Sequence, residues 1–484
     1  MDYLNSYFIF IIIFLVYSFV KKNKKDTKGN SLKGPIALPI IGNLLGLRNN
    51  PYSIMDYYHK KYGGIYRLWF GDYVVVTLND PEIIREIFVK NYSNFSSRPV
   101  LPTITFGSFN YRGISGSNGD CWRRNRNLLL NAMKKSNLKQ TYDNLGDSVN
   151  SLIKLMYRFQ ASNECFQPDM YLRKYALTTM FKYVFNETVS FESKQVEGEE
   201  AELIDNINEA FNFMTLGNAG DFFRILQPLY HKYLLYSGGC FNRIRSLIRD
   251  RYIEHRKTID EEKPRDLLDL LIIEYGEHTE ENLISIVQVC FDVILAGVDT
   301  LASSLEWFLL LLCNNQMIQE DVYQELKSTL GNDRSFLTLN DRPSTPFTMA
   351  CIKETIRLKA PAPFGLPHTT DEDTIIKGFL IPKGAMILIN YYSLGRNPKD
   401  FPNPLVFDPN RFIGATPDSF MPFGVGPRNC IGQALGMDQI YLLLSNIFFN
   451  FKVISDDGRK LDDTDYVSGL NLKPAKYRVF LEKR

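Results

Sequence analysis

The stretch from Thr279 to about Asn314 limits what this chain can fold into more than any other. Its apolar residues recur at helical spacing, Thr279 can cap its start, and Glu280 and Glu281 fall in the first turn, where a helix favours acids. A helix of that length reaches roughly 50 Å, enough to cross a large domain. Its middle, VCFDVILAGVDTLASSL, is apolar on nearly all sides and must be buried, so a large helical domain has to surround it. The 484 residues, 45% of them hydrophobic, can supply that core. Length alone suggests about three domains, yet no linker interrupts the chain after its first few dozen residues. Inside the helix Gly297 costs about 1 kcal/mol relative to alanine. Asp299 and Thr300 place an acid and a hydroxyl where a core favours neither. Two readings stay open: a functional polar patch, or a glycine that permits close packing with Thr300 bonded back to the preceding turn.

A second stretch, FGVGPRNCIG from Phe423 to Gly432, places Cys430 in a loop shaped by Pro422, Gly424, Gly426 and Pro427. Such a loop is irregular and leaves backbone N–H groups free. The periodic IGQALGMDQIYLLLSNIFF follows, which sets Cys430 just before a helix N-terminus, where thiolate is favoured over thiol. A thiolate is a metal ligand. The spacing of Phe423, Gly426, Arg428, Cys430 and Gly432 resembles the haem-binding signature of the cytochrome P-450 superfamily. The resemblance implies that Cys430 is the axial thiolate on the iron of haem b.

Four further motifs in the family's order support the resemblance. Ala296-Gly297-Val298-Asp299-Thr300 resembles its oxygen-binding motif, which implies that the helix opens near Gly297 for dioxygen and that Asp299 and Thr300 relay protons. Leu301 departs from the Thr or Ser common at the next position. Glu354 and Arg357, one turn apart, match the family's Glu-x-x-Arg pair, and the Phe407 to Phe412 segment supplies Arg411 as a third, structural partner. Trp122 and Arg126 stand on one face of a helix beginning near Asp120. By resemblance they meet a haem propionate, as do His368 and Arg428. The implied fold is mainly α with a small β-rich lobe, covering residues 34–484.

Ahead of it, Tyr3 to Val20 is uncharged and reaches roughly 27 Å as a helix, just enough to span a bilayer. Lys21, Lys22, Lys24, Lys25 and Lys28 follow, so the positive-inside rule puts the rest of the chain in the cytosol. Residues 1–20 read as a single transmembrane anchor, or alternatively a cleaved signal peptide, and residues 21–33 as a basic linker. An anchor of this kind implies the endoplasmic reticulum. Next, GPIALPIIGNL reads as a stiff hinge, Tyr66 to Thr77 as a hairpin around Gly71-Asp72, and Asp80-Pro81 as the start of a short helix. The block from Arg98 to Asp120 reads as a long loop. TIIKGFLI and AMILINYY read as a second hairpin turned by Pro382-Lys383-Gly384.

A net charge of +2 argues against a nucleic-acid binder. Seven cysteines without paired spacing fit a reducing compartment, with Cys290, Cys313 and Cys351 as core residues. No dinucleotide fingerprint is present, so the resemblance implies electrons from NADPH through a separate membrane-bound reductase, with cytochrome b5 as a possible second donor. Arg123, Arg124, Lys134 and Lys135 form either a basic docking patch or a solvated face. The pocket is expected to draw on the 98–120 loop, the stretch around Phe211 to Phe223, Val293 and Ala296, Pro363 to Leu366, and the turn near Ser468. These segments carry Phe106, Phe109, Phe213 and Phe364 and suggest a small apolar substrate. Two alternatives stand beside the monooxygenase: a haem-thiolate hydroperoxide isomerase or dehydratase, and a non-catalytic haem sensor.

Overall fold

The computed structural model describes the chain except residues 1, 25–29, 48–49, 135–144, 192–197, 216–217 and 332–333, and for residues 2–10 the backbone alone. At its centre lies the helix Glu280–Asn314, capped by the Thr279 hydroxyl, which accepts a hydrogen bond from Asn282 N at 3.1 Å. Most of its side chains from Ile286 to Cys313 are buried, as the all-round apolar sequence requires. Among the fully described helices it is the one long and apolar enough to cross a bilayer, and its burial marks it as a core helix. The helices Pro168–Phe185, Pro346–Lys359 and Gln433–Asn450 pack around it. One large hydrophobic cluster runs through all four.

The β-rich lobe is small. Strands β1 (Ile65–Phe70) and β2 (Tyr73–Leu78) form the expected hairpin around Gly71-Asp72. Asp80 caps the helix Pro81–Arg85, its carboxylate accepting from Glu82 N and Ile83 N. The second expected hairpin is drawn differently. β4 (Thr374–Ile376) pairs with β5 (Phe379–Ile381), and the turn is Lys377-Gly378. Both turn residues have positive φ (47° and 85°), which is what a two-residue hairpin needs. AMILINYY instead supplies β6 (Met386–Ile389), which joins β2 in parallel and β3 (His368–Thr369) antiparallel. All four β6 side chains are buried, so the strand belongs inside a sheet and not at its edge. Part of the 98–120 loop is also regular: Pro102–Gly107 is a short helix.

The N-terminal helix runs from Asp2 to Asn23, past the end expected at Val20. Its last turn is docked. Lys22 Nζ donates to the carbonyls of Ile40 and Gly71, Ser18 Oγ accepts from Ile40 N, and Asn23 bonds Ala37 in both directions. The side chains of Ile11, Ile12, Ile13, Phe14, Val16, Tyr17, Phe19 and Val20 are exposed. Of the basic run, Lys25 and Lys28 lie outside the described residues, as does Lys135.

Candidate active site

A cavity of about 370 Å³ lies between the central helix and the cysteine loop. The loop is fixed by its glycines. Gly424 and Gly426 have φ of 73° and 76°, and a Cβ at Gly426 would overlap the Phe88 carbonyl, so only glycine fits there. Cys430 N donates to Phe423 O at 2.8 Å, which turns the cysteine toward the cavity two residues before the cap of the helix Gln433–Asn450. Burial raises the Cys430 thiol above its ordinary value, outweighing the Gly432 N–H and the Arg126 charge that pull it down. The helix terminus alone therefore does not make a thiolate. A coordinated metal would, since it deprotonates the thiol outright.

Beside the cysteine three guanidinium groups converge with no carboxylate partner among the described residues. Arg428 donates to the carbonyls of Ser96, Ile114 and Ser117, and Arg126 to the Asn429 carbonyl and side chain. Arg98, 6% exposed, donates to Ser115, Leu366 and Pro367 carbonyls. Burial and mutual repulsion push Arg428 down to about 8, and burial with the charge of Arg126 pushes Arg98 down to about 10. Trp122 lies beneath Arg428, its ring centroid 4.1 Å from the guanidinium carbon. His368 Nδ1 meets Phe95 O at 2.9 Å, and burial together with Arg98 and Arg428 holds its pKa well below 6.5. Such a cluster is built for an anionic group. In the sequence Arg98 stands only at the start of a loop. Its partners Leu366 and Pro367 lie 268 and 269 residues away, a distance no local pattern spans.

On the opposite wall Ala296, Gly297 and Thr300 line the cavity, and Asp299 does not. The helix is continuous here and does not open. Thr300 Oγ1 donates to Ala296 O at 2.5 Å, and a Cβ at Gly297 would overlap Met180 Sδ. Both features of the packing alternative are thus present. The Asp299 carboxylate is fully buried against Arg173 Nη1 (2.7 Å), Lys473 Nζ (2.5 Å) and Asn471 Nδ2 (2.7 Å). Despite burial, these donors and charges hold its pKa below the ordinary carboxylate value. A second acid, Asp292, does reach the cavity, and it clamps the 98–120 loop by accepting from Ile114 N and Ser115 N at 2.7 and 2.9 Å. Through Gln288 it is linked to Arg245, which bonds the Phe106 and Gly107 carbonyls. Of the aromatic residues named from sequence, Phe364 lines the cavity. Phe106 and Phe213 pack against Phe241, and Phe109 against Arg245.

Behind the cysteine loop, Glu354 and Arg357 form a two-pronged pair at 2.6 and 2.7 Å, with no side-chain exposure. Arg357 also donates to Gly395, Pro404 and Val406 carbonyls. Arg411 Nε comes within 3.4 Å of Glu354, whose carboxylate also accepts from Asp408 N at 2.9 Å. The three residues expected together are together.

A family model described as cytochrome P450 matches residues 32–481. The chain belongs to this family. A Dictyostelium discoideum protein named probable cytochrome P-450 508D1 is 83% identical over 484 residues, covering all of both chains. Another from the same organism, 508C1, is 40% identical, again over the whole of both. A zebrafish cytochrome P-450 solved with progesterone superimposes with a TM-score of 0.78 at 23% identity, covering 90% of this chain and 99% of that one. The cytochrome P-450 fold explains the cavity's two poles. A sulfur and a cluster of cations without carboxylate partners fit haem iron and the two haem carboxylates respectively. This cytochrome P-450 is an oxidoreductase of the haem-thiolate monooxygenase type, using haem iron and dioxygen.

Proposed function

We propose that this cytochrome P-450 oxygenates a small apolar substrate at a membrane surface, with electrons from a separate NADPH-dependent reductase. The observation that carries the reading is the meeting, in one cavity, of the Cys430 sulfur, Arg98 and Arg428 of the arginine cluster, and an apolar wall. Bound haem supplies the oxygen activation. Cys430 would hold its iron, while Arg98, Arg126 and Arg428 would hold its carboxylates. Ile114, Val293, Ala296, Phe364 and Leu366 exclude water and give an apolar substrate its contacts. Thr300, on the cavity wall of the central helix, presents a hydroxyl that would pass protons into the site.

Exposed apolar residues support the membrane setting. Ile36, Leu38 and Ile40 stand out from the hinge and Leu45 just beyond it, and Ile225 and Leu226 from the segment leading into the helix Gln227–Ser237, with Leu229 in its first turn. The β1–β2 turn ties the two groups together, Gly71 N donating to Ile41 O and Asp72 N to Phe222 O. Together with the helix Asp2–Asn23 they suit a lipid interface, in a single-pass protein whose catalytic domain faces the cytosol at the endoplasmic reticulum. For reductase docking, Arg123 is paired with Asp120 and Arg124 with Asn282, and Lys134 is exposed.

The first test is the reduced, carbon-monoxide difference spectrum of the expressed protein beside Cys430→Ala. A long-wavelength Soret band that disappears in the variant is expected, and well-folded protein without haem would overturn the reading. Vesicle flotation of a protein lacking residues 2–17, with and without Ile225→Asp and Leu229→Asp, tests the surface. Residual binding abolished by the two aspartates is expected.

A further inference from the structure

Asp299 is held by three donors that differ in how easily they let go. Lys473 keeps 19% of its side chain exposed and can turn to water, and Asn471 is neutral. Arg173 has neither escape, being charged with 9% side-chain exposure. Were the Asp299 carboxylate to rotate toward the cavity wall formed by its neighbours Ala296, Gly297 and Thr300, Arg173 would be a buried cation without its acid, a strongly unfavourable state. A second acid lies within reach. Glu306, two turns further along the same helix face and 2% exposed, has its Oε1 3.6 Å from Arg173 Nη2, and that oxygen accepts no hydrogen bond among the described residues. A buried carboxylate oxygen without a donor is rare and asks for an explanation.

We propose that Glu306 is the standby partner of Arg173: when Asp299 leaves for the cavity, the guanidinium shifts from Asp299 to Glu306, and it shifts back when Asp299 returns. Glu306 is in this sense a positioning residue for proton delivery, and the inference rests on Asp299 and Thr300 serving that delivery. The exchange moves one proton along with the ion pair: Glu306 gives up its proton as it takes the guanidinium, and the departing Asp299 takes one up. The O–H bond broken on one carboxyl is matched by one formed on the other, and the number of buried charges is unchanged. Asp169 also faces the cluster from the helix Pro168–Phe185, and it is engaged by Lys476 at 3.4 Å. From the C-terminal segment Lys473 faces it, and Tyr477 donates to the Glu306 backbone carbonyl. In the resting arrangement burial, with Asp169 and Asp299 adding to it, pushes the Glu306 carboxyl up to about 7 against the pull of Arg173 and Lys473.

Two readouts need no turnover. Infrared titration of the haem-loaded enzyme should show a buried carboxylic-acid band just below neutrality that Glu306→Gln removes. Asp299→Asn should remove the same band at the same pH, because Arg173 then ionises Glu306. Loss of the neighbouring negative charge would also favour ionisation, so the crystal structure of haem-loaded Asp299→Asn decides: Arg173 Nη2 and Glu306 Oε1 should close from 3.6 Å to hydrogen-bond distance. An unmoved arginine overturns the proposal. In turnover, Glu306→Gln should raise the share of NADPH lost as peroxide severalfold with an unchanged carbon-monoxide spectrum, and Glu306→Asp should restore part of the coupling. Parental coupling and pH profile in Glu306→Gln would equally end it. Failure of the oxygenase reading itself would show first in the carbon-monoxide spectrum.

Discussion

Arg357 and Arg173 are both buried arginines held by acids, and they are held in opposite ways. Arg357 meets one acid through two short bonds and spends its remaining donors on three carbonyls, leaving nothing loose. Arg173 is divided between Asp299, Asn208 and a Glu306 oxygen that stays 3.6 Å away. A closed network has one low-energy arrangement and suits a brace behind the haem site. An open one has at least two, and suits the side where protons must move.

The largest effect should come from breaking the closed network. Glu354→Ala leaves Arg357 charged and unpaired at 0% side-chain exposure, a loss of about 3–5 kcal/mol. Chemical denaturation should register it, together with purified protein that carries no haem. Arg173→Ala comes next, at about 1.5–3 kcal/mol for the lost charged hydrogen bonds, since Lys473 and Asn471 still hold Asp299. A loss as large as that of Glu354→Ala would erase the distinction between the two networks. Asp292→Ala strands the Ile114 and Ser115 amides, costing about 1–3 kcal/mol. Because that acid fixes the loop beside the cavity, the distribution of oxidation products should change as well.

The smallest effect belongs to Glu306→Gln, and it should depend on pH. The Glu306 pKa in the fold, about 7, lies above its ordinary 4.5. Between these values the folded state holds a proton that the unfolded chain has released, so the parent loses stability as pH rises through the window and levels off above it. Glutamine has no such titration. Denaturation curves of parent and variant should agree near the acid end and separate toward neutrality, with the variant gaining. Parallel curves would mean that Glu306 is ionised throughout.

What could be read from the sequence follows the span of each interaction. The cysteine loop was legible because its requirements are local: positive φ at Gly424 and Gly426, and a helix starting at Gln433. The Glu354–Arg357 pair is three residues apart and equally plain. Asp299 stood out as an acid in an apolar helix, while its partners Arg173 and Lys473, 126 and 174 residues distant, carry no local sign of the pairing. Arg98, Arg245 and Gln288 carry no local sign either, their partners lying far along the chain. The misdrawn hairpin had a different cause. Lys377-Gly378 and Pro382-Lys383-Gly384 are both turn sequences, and only the sheet partner of Met386–Ile389 decides which of them joins paired strands.

The docked end of the N-terminal helix matters to anyone who shortens the protein for crystallisation. Trimming the apolar stretch back to a tidy boundary at Val20 would strip the Ile40 amide of Ser18, and a boundary after Asn23 would also strip the Ala37 backbone of Asn23 and empty the seat that Lys22 fills over the Trp69 ring. The hinge would then be loosened at the place where it meets the β1–β2 turn. A soluble version should begin a few residues before Ser18, keeping the last turn of the greasy helix as part of the globule.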